Sequence, residues 1–155
     1  MAEAGGAIWL QKCRSTQNVQ GGLFANIGGR IRDDNGVHNG NVRGCRINAG
    51  SNIEVNGSDL SESDTSNAEV LGGALTAYGS TFNKSKAGAG VFCTGGGVVH
   101  LHNNCTTNDN KNYGLQAERL AIIQADTSHT ATGNGTGELN ISAGKLSADG
   151  AKIAY

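Results

Sequence analysis

An all-β solenoid is the fold class this sequence predicts, and it rests on a repeat, a composition and an alternation. The chain repeats itself every 24 residues: Gly90-Val91-Phe92-Cys93 aligns with Gly114-Leu115-Gln116-Ala117, and Val98-Val99 aligns with Ile122-Ile123. Gly makes up 25 of the 155 residues, Pro is absent and aromatics are 5%, with Asn, Thr, Ser and Gly clustered between short apolar pairs. Apolar residues alternate with others inside each repeat, which is the period of a strand with one face buried. A fixed period of about 20–50 residues marks a stack of structural units. Each unit would be one coil, and stacking buries a core that no coil could bury alone. The missing Pro suits a fold in which most backbone N–H groups pair along a ladder.

The elements follow in chain order. Residues 1–20 form an N-terminal cap or arm, with Ala7-Ile8-Trp9-Leu10 as a first strand or a cap. Residues 21–155 form the solenoid domain, about five to six coils, with the clearest repeat at 66–146. Gly21 to Asn41 is rich in Gly and Asn and reads as one coil. Val42 to Val55 reads as the next, with Ile47 expected beside Leu71 and Ile53 beside Ala77. The acidic stretch Gly57 to Asn67 is expected to form an outward loop, and His38 to stand alone and inert in a polar loop. Four inward columns follow: Val91, Leu115 and Leu139; Cys93, Ala117 and Ile141; Leu75, Val99 and Ile123; Ala77, Leu101 and Ala125. Ser80, Asn104 and Ser128 are expected to share a turn column, as are Lys86, Asn110 and Asn134. Such small polar ladders stabilise turns. Gly72-Gly73 and Gly96-Gly97 fall in register, so a tight bend recurs there.

Charge and cysteine usage narrow the function classes. Net charge is −1, from 12 basic and 13 acidic side chains spread along the chain. No basic block points to nucleic acid and no basic amphipathic helix to a membrane surface. No apolar run approaches the ~20 residues of a membrane span. Met1 to Trp9 lacks the positive region and the apolar length of a secretory signal, so export by the general route is not expected. Cys13, Cys45, Cys93 and Cys105 match no zinc or redox spacing. Cys45 and Cys93 should share a column two coils apart, beyond disulfide reach. They read as buried free thiols made in a reducing compartment, with Glu69 in the coil between them.

Three constellations carry possible chemistry. Glycosidases need paired carboxyls, ~5–5.5 Å apart when retaining and ~6.5–9.5 Å when inverting. Glu54, Glu69, Asp109, Glu118, Asp126 and Glu138 are the candidates, although no two share a column on adjacent coils. His100 and His102 alternate about Leu101, and Asp126 or His129 could add a metal ligand. The spacing matches no known metal motif, so no metal or cofactor is expected. No Ser-His-Asp order and no phosphate-cradling loop is present. The third constellation is apolar: Ala74, Val98, Ile122 and Leu146 share an outward column, and Phe82 and Phe92 point outward by parity. A contiguous exposed stripe of this kind marks an interface. If the parity is inverted on that strand, the column is core and Val99 and Ile123 form the stripe. Either way one apolar face needs a cover, which points to self-association.

The segment Gly90 to Leu115, with Gly-Gly-Val-Val-His-Leu and then Asn-Asn-Cys-Thr-Thr-Asn-Asp-Asn-Lys-Asn-Tyr-Gly-Leu, resembles right-handed parallel β-helix proteins, above all the coils of bacteriophage tailspikes and their pectin-lyase-like relatives. The resemblance covers roughly residues 40–145. It implies a right-handed parallel β-helix, a homotrimer on a virion assembled in the host cytoplasm, contacts with other virion proteins, and attachment to bacterial surface polysaccharide. A polysaccharide hydrolase or lyase with an inter-subunit site is the alternative it implies, and a capsid decoration protein another. Full tailspikes are several times longer, with separate particle-binding and trimerisation parts, and no catalytic motif of theirs maps onto this chain. A non-enzymatic virion component is therefore the leading expectation.

Overall fold

The computed structural model describes residues 1–48, 50–142 and 145–148, with side chains as far as residue 140. Its strands alternate between two sheets. In chain order they are β1 (Ala2–Glu3), β2 (Ala7–Gln11), β3 (Leu23–Asn26), β4 (Arg30–Asp34), β5 (Cys45–Asn48), β6 (Asn52–Asn56), β7 (Ala68–Leu71), β8 (Ala74–Tyr78), β9 (Val91–Thr94), β10 (Val98–His102), β11 (Tyr113–Glu118), β12 (Ile122–Ala125), β13 (Gly137–Ser142) and β14 (Lys145–Ala148). Odd strands form one seven-stranded sheet and even strands the other, each in order along the stack. Every named pairing is parallel and none of the described residues is helical. A third side is a line of single-residue bridges through Arg14, Val37, Asp59, Thr81, Thr106 and Thr130. The chain is a parallel β-solenoid of about 6 turns.

Local chemistry explains the corners. The corner after β7 has Gly72 alone in the left-handed region, whereas the corners after β1, β3, β9 and β11 make two consecutive left-handed residues and close an i to i+3 hydrogen bond, as at Gly95 and Gly96 (φ 63° and 75°) with Gly97 N–H donating to Thr94 O at 3.1 Å. This is a type I′ turn, which needs positive φ at both centres. The residue after it sits against the turn below: a Cβ on Gly29 would lie 2.2 Å from Ala2 O. That position is Gly6, Gly29, Ser51, Gly73, Gly97 and Ala121 down the stack, always small.

Inward side chains build one continuous core from Ala2 to Ala125. Val91 pairs with Leu115 and Leu115 with Leu139. Leu75 pairs with Val99 and Val99 with Ile123, and Ala77, Leu101 and Ala125 follow in the adjacent column. These are the expected columns, and each buried aliphatic side chain contributes roughly 1.5–3 kcal/mol.

The expected register fails where the period is not 24. The step along the even sheet is 23 residues from Ala7 to Arg30, 22 to Asn52, 22 to Ala74, 24 to Val98, 24 to Ile122 and 23 to Lys145. Ile53 therefore pairs with Leu75, and Val55 with Ala77. Ile47 pairs with Val70, so Cys93 stacks below Ile47 and Val70 while Cys45 stacks above Ala68 and Val91. The two cysteines lie in different columns, and Glu69 pairs with Phe92 on the outer face instead of entering the core. Leu146 pairs with Ile123, which puts Lys145 beside Ile122 and takes Leu146 out of the outward column. On the third side an extra residue at Asn103-Asn104 makes Thr81 pair with Thr106, so Ser80 stands beside Cys105 and Ser85 beside Asn110.

Three further expectations are corrected by burial. Phe82 is fully buried, because the residue after each third-side bridge turns inward, as do Leu60 and Thr107. It cannot belong to an outer stripe. The acidic segment 57–67 is no outward loop: Asp59 takes its bridge, and Leu60, Ser63 and Asn67 are buried. His38 is buried in the core. The cysteines are free thiols, with Cys45, Cys93 and Cys105 buried. Burial pushes the Cys45 and Cys93 thiols up to about 12.

Candidate functional site on the outer face of the even sheet

Alternation along the even strands sends every second side chain outward, and parallel in-register pairing lines these up across coils. The outer face has three rows. One is Ala7, Arg30, Asn52, Ala74, Val98 and Ile122; the middle is Trp9, Arg32, Glu54, Thr76, His100 and Gln124; the third is Gln11, Asp34, Asn56, Tyr78 and His102. The first row turns apolar in its lower half. The other two are polar and aromatic along their length.

The rows are knitted by side-chain bonds. Trp9 Nε1 donates to Asp34 Oδ2 at 2.7 Å, and the Arg32 guanidinium lies 5.6 Å from the Trp9 ring centroid. Arg32 Nε also reaches Asp34 Oδ2 at 3.2 Å, and its Nη1 lies 3.6 Å from Glu54 Oε1. Asn56 Nδ2 donates to Asp34 Oδ1 at 2.7 Å and to Glu54 Oε1 at 3.2 Å. One amide nitrogen thus bridges two carboxylates on neighbouring coils. The Asn56 bond, then the Trp9 bond, then Arg32, hold the Asp34 carboxyl below its ordinary range. Further along, Tyr78 and His102 stack with ring centroids 5.1 Å apart, and His102 and His100 stack at 6.1 Å. A cleft of about 550 Å³ opens between Arg30, Arg32, Asn52, Glu54 and Ala74.

No known protein family, curated protein or solved structure matches this chain.

The face brings together some of the expected residues and separates others. Ala74, Val98 and Ile122 share a column as expected; Ala74 and Val98 are half-buried and Ile122 is 39% exposed. Phe92 is half-buried on the outer face of the other sheet, away from them. Among the described residues, Glu54 alone of the expected carboxylates shares a hydrogen-bond donor with a second carboxylate, Asp34. Glu69 is held by Arg43 and by Arg46, Glu118 accepts from Gln116 Nε2 at 2.7 Å, and Glu138 accepts from Asn134. Asp126 accepts from the Asn103 backbone N–H at 2.7 Å and from Ser128; these bonds outweigh its burial and lower its carboxyl. His129 is buried, turned away from His100 and His102. Among the described residues no three His, Cys, Asp or Glu side chains are placed to hold a metal ion.

Asp34, Arg32, Asn56, Trp9 and Tyr78 were missed by the sequence reading. Their signal was present as outward parity on residues 7–11, 30–34 and 52–56, but the 22-residue steps hid the alignment.

Proposed function

We propose that this chain is a rigid solenoid component of a bacteriophage particle, of tailspike or fibre type, that attaches to host surface glycan through the outer face of its even sheet. The observation that carries the reading is the strip running from Trp9 through Arg32, Asp34, Glu54 and Asn56 to Tyr78, His100 and His102. Sugars present apolar ring faces and a dense set of hydroxyls. Aromatic faces pack the first, and carboxylates, amides and guanidinium groups exchange hydrogen bonds with the second. A strip that crosses several coils suits a polymer, because each coil repeats the contact at about 4.8 Å. The adjoining apolar stretch of Ala74, Val98 and Ile122 suits packing of three copies, with the glycan strip along the groove between them. Other virion proteins are the further partners, and the virion, assembled in the host cytoplasm, is the location.

A second reading, a polysaccharide hydrolase, is supported by the Asp34–Glu54 pair. Both accept from the Asn56 nitrogen, which keeps the two acceptor oxygens less than about 6 Å apart, short of the ~6.5–9.5 Å of an inverting mechanism and compatible with the ~5–5.5 Å of a retaining one. Asp34, held ionised, would be the nucleophile, and Glu54 the acid.

The test is a glycan array followed by co-incubation with intact bacterial polysaccharide. Binding that falls at least tenfold in Trp9→Ala, with polymer length unchanged, supports attachment. Shortening of the polymer that stops in Glu54→Gln supports hydrolysis. No binding to any glycan, with the fold intact, removes both readings.

A further inference from the structure

We propose that Ser15, His38 and Asp33 form a separate acyl-transfer site that hydrolyses short-chain carboxylic esters through a Ser15 nucleophile. It does not rest on the glycan reading, because none of the three belongs to the outer face of the even sheet.

The geometry is a relay. Ser15 Oγ lies 2.7 Å from His38 Nδ1, and His38 Nε2 lies 3.0 Å from Asp33 Oδ2. Asp33 accepts at Nε2, so the ring carries its proton there and presents the Nδ1 lone pair to the Ser15 hydroxyl. That is the nucleophile, base and orienting acceptor of serine acyl transfer, with the two ring nitrogens exchanged.

The surrounding columns show how unusual this pair is in its own fold. Asp33 occupies a core position that elsewhere holds Leu10, Val55, Ala77, Leu101 and Ala125. His38 stands where the following coils place Leu60 and Phe82. Both are essentially inaccessible to solvent, and Asp33 Oδ1 has no hydrogen-bond partner. Replacing a buried hydrogen-bonded pair by apolar side chains of the same shape is often neutral or stabilising, so packing gives no reason for this pair. The chain also makes room for it: a Cβ on Gly36 would fall 2.2 Å from Asp33 Oδ2 and 2.5 Å from His38 Nε2. Ser58 Oγ donates to Asp33 Oδ2 at 2.7 Å and fixes the carboxylate.

Substrate has a way in. Ser15 is half-buried and lines a cleft of about 440 Å³ together with Asn18, Val19, Gln20, Gly21 and Phe24. Val19 and Phe24 supply apolar wall for a small acyl group. The backbone N–H groups of Val19, Gln20 and Gly21 have no hydrogen-bond partner among the described residues, which leaves donors for an oxyanion. In the reaction, Ser15 Oγ bonds to the ester carbonyl carbon while its proton passes to His38 Nδ1. The tetrahedral intermediate collapses, the bond to the alcohol oxygen breaks, and the alcohol leaves with the proton from His38. Water then adds to the acyl-Ser15 ester by the same route, releasing the carboxylic acid and restoring the hydroxyl. Ser15 and His38 are the catalytic residues; Asp33 is a positioning residue.

The test treats the full chain with diisopropyl fluorophosphate, maps the adduct by mass spectrometry, and follows p-nitrophenyl acetate hydrolysis. One adduct on Ser15 is expected, absent in Ser15→Ala, with ester turnover lost in step. In His38→Asn the labelling rate should fall on the order of 10²-fold or more. In Asp33→Asn the labelling rate should fall and the nitrogen spectrum should show the His38 proton moved from Nε2 to Nδ1. An unlabelled Ser15 in the folded wild-type chain overturns the proposal, as does a folded His38→Asn labelled at the wild-type rate. If His38→Asn does not fold, the wild-type and Ser15→Ala comparison decides alone. A slower Asp33→Asn with an unmoved proton removes Asp33 from the relay.

Discussion

Arg119 and Leu120 hold left-handed backbone, at φ 50° and 66°, in the turn where the preceding coil has Gly95 and Gly96. A side chain in that region costs roughly 1–2 kcal/mol per residue, and a new Gly returns part of this as extra freedom of the unfolded chain. Leu120 is 83% exposed and gives up little packing. Leu120→Gly should therefore stabilise the fold by about 0.5–1 kcal/mol, read as a higher urea midpoint with an unchanged slope. His129 gives the opposite kind of test. Burial lowers its imidazole from 6.5 to about 4, and its Nδ1 has no partner. The folded state favours neutral His129, so its contribution is complete above the unfolded value of 6.5 and is lost as pH falls through about 4. The loss should reach about 3 kcal/mol, and His129→Gln should flatten the melting temperature between those pH values. At this scale the sequence was partly legible. His129 and His38 could be named from it, but not that one is buried beside Thr107 and the other against Asp33. A side chain's partner lies one coil away, and a slip of one residue exchanges inside for outside.

Within the coil, the type I′ corners and the inward columns are the units that decide stability. Phe82 fills the core at the third side, where its neighbours along the stack are Leu60 and Thr107. Phe82→Ala should cost about 3–5 kcal/mol, measured by chemical denaturation, as expected for a large cavity in a close-packed core. Gly29→Ala should be comparably damaging, because the new Cβ meets backbone at 2.2 Å and backbone cannot rotate aside. Elements were legible wherever the step held at 24, from β8 to β12. They were misplaced where the corner between β7 and β8 is one residue shorter, Leu71 to Ala74 being joined by Gly72 and Gly73 alone. That shortening changed the partners of Ile53 and Glu69 while keeping each strand's own alternation; the partner of Ile47 changed because the third side has eleven residues between β6 and β7 against twelve between β8 and β9.

At the level of the whole molecule, the half-buried Ala74 and Val98 and the 39%-exposed Ile122 form the one stretch of the outer rows with apolar chemistry on consecutive coils. Self-association through it predicts a light-scattering mass of three chains. Val98→Glu combined with Ile122→Lys should yield a folded monomer, since both positions face outward and neither column below them would be disturbed. A monomeric wild-type chain would remove the stripe from the account.

The sequence by itself determined the fold class and the inward columns from Leu75 to Leu139, because stacked coils impose the same burial on equivalent positions and so write a period into the chain. Only the tertiary structure decided which outward side chains meet and which polar residues go inside. Asp34 and Glu54 are 20 residues apart, and Ser15 and His38 23 apart, intervals unequal to the 24-residue period. What joins each pair is the number of residues the chain spends on the third side, eleven between β2 and β3 and ten between β4 and β5 against twelve between β8 and β9. Those residues are mostly small and polar, and the hydrophobic pattern carries no record of their number.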